Sequence, residues 1–142
     1  MKRIFYILAV LVVIAISGCD DVVKAVTTTI SGNVSNDGEA VSGAYVLLLE
    51  AGDEVTQGIS LSNGMITNSN GDYTMIEVST GDYYVAAIDD ANNNIVFDLD
   101  TDRVGYYGLA DTLLGVTIPQ TLHVSKGDDL EDIDITDLYQ LQ

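Results

Sequence analysis

"NSNGDYTMIEVSTGDYYVAAID", Asn68 to Asp89, is the stretch whose reading decides the fold. Asn68-Ser69-Asn70-Gly71 collects residues that tolerate positive φ, which marks a tight turn. On either side of Ser79-Thr80-Gly81, Asp72 to Val78 and Asp82 to Asp89 are rich in β-branched and aromatic residues. Each is a strand's length, and the turn residues between them predict a hairpin. Gly71 supplies the left-handed backbone of the first turn. Tyr73 and Tyr83 are expected to pack across neighbouring strands, with their hydroxyls at the rim.

Working outward, the same period continues. "TTTISGNVS" (Thr27 to Ser35) alternates, with Ile30 and Val34 on one face, and Asn36-Asp37-Gly38 is a turn. "AYVLLLEAG" (Ala44 to Gly52) is apolar enough for a central strand. "TQGISLS" and "GMITN" are weaker strand candidates around Gly64. Downstream, one helical turn is expected near Ala110 to Leu114. "QTLHVS" and "DIDITDL" are read as two closing strands around Lys126-Gly127. Short strands, frequent turns and no long 3.6-residue period predict an all-β sandwich.

These residues carry a resemblance. "ISGNVSNDGEAVSGAYVLLLEAG" followed by "TNSNGDYTMIEVSTGDYYVAAID" resembles the carboxypeptidase regulatory-like family. The matching positions are Gly32, Gly38, Val41, Gly43, Ala44, Val46, Asn70, Gly71, Tyr73, Gly81, Tyr83 and Val85. The resemblance covers about residues 28 to 90 and implies a seven-stranded transthyretin-like, Ig-like β-sandwich, a carbohydrate-binding-like fold. It also implies a non-enzymatic module of the kind appended to surface receptors and peptidases or found alone in exported lipoproteins. The tail from Val104 onward reads as an extension of that unit.

The N-terminus places the chain in a cell. Met1-Lys2-Arg3 is basic, Ile4 to Ile16 is an unbroken apolar run, and Ile16-Ser17-Gly18-Cys19 precedes an acidic start. That layout is an export signal, and the run is too short to span a bilayer. The Ile-Ser-Gly-Cys end resembles the lipobox of bacterial lipoproteins, with Ile16 where Leu is commonest. The resemblance implies lipidation at Cys19 and anchoring to a membrane of the bacterial cell envelope. Cys19 is the single cysteine, so no intrachain disulfide forms, and lipidation accounts for a lone exported thiol. The expected organisation is a signal peptide over 1–18, a lipidated Cys and tether over 19–27, and the sandwich over 28–142. Loss of Lys2 and Arg3 leaves three basic residues against 22 acidic ones. Such a surface repels nucleic acid and anionic head groups.

Catalysis lacks its usual parts. His123 is the single histidine and is read as a surface or edge residue of a strand. No Gly-x-Ser-x-Gly element exists, and one His with one lipidated Cys excludes the usual zinc sets. Carboxylate pairs are too abundant to single one out. The chain is therefore expected to be a non-catalytic, lipid-anchored domain that binds an envelope protein or glycan, or acts structurally.

"DDANNNIVFDLDTD" (Asp89 to Asp102) is the remaining signal. Calcium takes six to eight oxygens from carboxylates, amides and carbonyls on a loop. Counted from Asp90, the ligand spacing of an EF-hand loop falls on Asp90, Asn92, Asn94, the Val96 carbonyl and Asp98. Asp100 or Asp102 would supply the last carboxylate. Ile95 stands where that loop has Gly, Thr101 stands where it has Glu, and no flanking helices are expected. The competing reading is a hydrated Asx-rich turn in which Arg103 pairs one aspartate. Tyr106-Tyr107, just beyond, offers an aromatic platform for a sugar if exposed, and core packing if not.

Overall fold

The computed structural model describes residues 27–141, and those residues are all-β. The signal segment, Cys19 and most of the tether lie outside the described residues. Among the described residues twelve short strands form four hydrogen-bonded groups, where a single seven-stranded sandwich was expected. Two groups carry most of the structure. In the first, β1 (Thr29–Asn33) lies between β6 (Asp72–Ile76), antiparallel, and β12 (Asp129–Leu130), parallel. In the second, β7 (Gly81–Asp89) is central. It pairs with β4 (Tyr45–Glu50) along one edge, and with β11 (Leu122–Val124) and β8 (Arg103–Tyr106) on the other. β5 (Met65–Ile66) pairs with the start of β4.

The turn chemistry fixes the connections. β2 (Ser35–Asn36) and β3 (Glu39–Ala40) flank Asp37 and Gly38, whose φ of 53° and 82° make the two-residue hairpin turn expected there. At Gly71, φ is 81°, and a Cβ would lie 2.3 Å from the Val34 carbonyl oxygen, so both conformation and space demand glycine.

The second sheet is buried on both faces, which explains its near-continuous apolar strands. Val46, Val85 and Ala87 face Ile30, Val34, Tyr73, Met75 and Ile135 in the core between the sheets. Leu47, Ala86 and Ile88 face the opposite way, toward Val55, Leu61, Phe97, Val104 and Tyr106. The lid over that second core is built from the loop after β4 and the acidic loop after β7. Tyr73 is buried and donates its hydroxyl to the Ile133 carbonyl at 2.7 Å, tying the C-terminal segment across the first core.

Two expectations about the tail change. Around Ala110 to Leu114 the chain forms β9 (Gly108–Asp111), a turn, and β10 (Val116–Pro119). Its helical character is confined to one bond, Gly115 N–H to the Asp111 carbonyl at 2.8 Å. "DIDITDL" is not a continuous strand. It follows β1 in parallel, with Ile133 and Ile135 N–H groups donating to Ser31 and Asn33 carbonyls, and positive φ at Asp132 interrupts the ladder.

Candidate functional site

The acidic loop begins where β7 ends and is pinned by its apolar residues. Phe97 is fully buried in the second core, and its N–H donates to the Ile59 carbonyl at 2.9 Å. Val96 bridges to Ser60 beside it. With Phe97 facing inward, the polar residues on either side are held at the surface in a defined arrangement.

The aspartates then divide into four kinds. Asp90 and Asp102 are buried and turn their carboxylates onto backbone amides. Asp90 accepts from Ile95 N–H at 2.8 Å and Asn94 N–H at 3.3 Å. Asp102 accepts from Asp98 N–H at 2.8 Å, Ala91 N–H at 3.2 Å and the Thr101 hydroxyl at 2.9 Å. These bonds satisfy charge that burial would otherwise make costly. Asp98, partly exposed, collects side-chain amides: Asn94 Nδ2 at 2.6 Å, Gln57 Nε2 at 2.8 Å and Asn92 Nδ2 at 2.9 Å. Those donors, Asn92 first, hold its carboxyl below the ordinary value of 3.8. Asp89 forms the third kind, ion-paired with Arg103 at 2.6 Å. Asp100 is exposed at the tip.

The expected ligand spacing thus brings Asn92, Asn94 and Asp98 together while directing Asp90 and Asp102 inward. The Asn92 and Asn94 side-chain oxygens accept Asn94 and Val96 N–H groups, so their amide nitrogens face Asp98. Among the described residues no group of three or more His, Cys, Asp or Glu side chains converges as a metal site. A cation here would draw on Asp98, backbone carbonyls and amide oxygens after rotation of the two asparagines. Gln57 is the partner that sequence spacing missed, because it is 41 residues from Asp98 and only the loop after β4 brings it there.

The other named residues have structural surroundings. Tyr106 is buried, and its hydroxyl accepts Val55 N–H at 3.1 Å, so its ring offers no platform to solvent. Burial raises its pKa. Tyr107 is half-buried against the first core. His123 is an exposed residue of β11, with Nδ1 2.6 Å from Asp82.

A family model matches residues 15–96, from before the described strands to the middle of the acidic loop. The chain belongs to that family. Its description is "Protein of unknown function (DUF1416)". No curated protein and no solved structure matches the chain.

Proposed function

We propose that this chain is a lipid-anchored, non-catalytic domain of the bacterial cell envelope, a transthyretin-like module of the carboxypeptidase regulatory-like kind that binds an envelope partner. The observation that supports this reading is the separation of its two ends. β1 enters beside Val78 and Asp128, the end at which β7 also starts. β7 then runs for nine residues, about 26 Å at strand rise, before the acidic loop begins. A tether from Cys19 to Thr28 would therefore hold the module by one end and present the oxygen-rich loop at the other.

Fractionation of the full chain tests the anchor. Wild type is expected to be cut before Cys19 and to partition with detergent, whereas Cys19→Ser remains uncut and unlipidated. Normal maturation and partitioning of Cys19→Ser would overturn the reading. The loop is proposed to take calcium as a stabilising ion. At matched ionic strength, saturating calcium is expected to raise Tm on the order of 5 °C over chelator. The Asp98→Asn variant should lose that rise. Equal responses of parent and variant to calcium and magnesium would leave the loop as an acidic turn.

A further inference from the structure

We infer that the open flank between β4 and β6 is a docking groove for an extended, basic polypeptide segment of a partner protein, which would add a strand to β4. The inference rests on the binding role proposed above and names the surface and the chemistry of what it binds.

On one side of β4, Thr67 N–H donates to the Ala44 carbonyl at 2.9 Å; on the other, Ala51 N–H donates to the Asp82 carbonyl at 2.9 Å. Strand alternation between those points turns the peptide groups of Val46, Leu48 and Glu50 away from β7. β5 pairs with Tyr45 and Val46 alone, so among the described residues the outward edge at Leu48 has no strand beside it. β6 bonds β1 on one side and ends its sheet on the other. The two sheets thus leave adjacent unpaired edges, and strand edges of this kind template pairing with another chain.

The surface between the edges is apolar. A cavity of about 430 Å³ is lined by Val46, Leu48, Met65, Met75, Ile76 and Tyr83, among others. Ile76 is 63% exposed and Ile66, next to Met65, 54%. An adjoining cleft shares Tyr83 and is walled by Glu50 and Asp82. Apolar residues at alternate positions of an added strand would fill the groove, and a basic residue at its end would reach the exposed Glu50 carboxylate, Asp82 being paired with His123. Charge selects the occupant. With a net charge of −17, a second copy and an anionic membrane are both repelled, while a cationic segment is attracted.

The test uses the full-length chain and three blocked octapeptides of alternating valine and threonine. One ends in lysines, one ends in glutamates, and one ends in lysines with a central proline. At ten times its Kd, the lysine peptide is expected to slow amide exchange at Leu48 and Glu50 about tenfold. The glutamate and proline peptides should not. Glu50→Lys, at an exposed position, should reduce the lysine peptide's protection and raise that of the glutamate peptide. Equal protection by all three peptides, protection confined to Leu109–Ile118, or indifference to Glu50→Lys would overturn the inference. So would sedimentation as a dimer with Leu48 already protected. No membrane enters the assay, so its failure is separable from failure of anchoring at Cys19.

Discussion

Ile95 sits in a backbone conformation that its side chain resists. Its φ is 63°, in the left-handed region, where a β-branched residue is a steric outlier. Two contacts impose that geometry: the Asp90 carboxylate holds Ile95 N–H, and Leu61 N–H takes the Ile95 carbonyl at 3.0 Å. The side chain is 45% exposed, so its burial offsets that strain only in part. Ile95→Gly should therefore stabilise the fold by about 1 kcal/mol, the left-handed penalty less the extra entropy of unfolded glycine. A denaturant midpoint unchanged or lowered by that substitution would show that the side chain's packing outweighs the backbone strain.

At the scale of elements, the acidic loop is a cover for one face of the second sheet. Phe97 is the largest fully buried side chain among the described residues and packs with Val55, Leu61 and Val104. Phe97→Ala should cost about 3–5 kcal/mol through lost burial and the cavity left behind. The same substitution should disperse the amide donors around Asp98, because Gln57 meets Asp98 only when both loops lie on this core. Chemical denaturation measures the first effect. The second is read from the Asp98 carboxyl titration, which should return toward 3.8. A depressed titration that survives Phe97→Ala would mean that the donor cluster forms without its apolar support.

At the scale of the whole molecule, buried and half-buried phenols make stability depend on alkaline pH. Burial first, then the Asp134 charge, pushes the Tyr73 hydroxyl up, and burial with neighbouring Tyr106 pushes Tyr139 up to about 12. Unfolding returns both toward 10.0. A raised folded pKa gives stability that is fully present below 10.0 and is lost as pH rises toward about 12. Tm should hold up to that lower value and then fall, and the fall should be shallower in Tyr139→Phe. Identical profiles for the two proteins would remove Tyr139 from the cause. The same scale shows what was legible beforehand. Alternation and turn residues in Asn68 to Asp89 determined the all-β character of the described residues, because period two and positive-φ residues act locally. The ion pair of Arg103 with one loop aspartate was also readable, since Asp89 and Arg103 are close in sequence. Tertiary structure alone decided which segments cover the second face of that sheet, that Tyr106 belongs to a core, and that Asp90 and Asp102 turn inward while Asp98 faces out. Each depends on which distant segment lies alongside, such as Val55 over Tyr106 and Gln57 beside Asp98. Nothing in the period of a strand records what will pack on its second face.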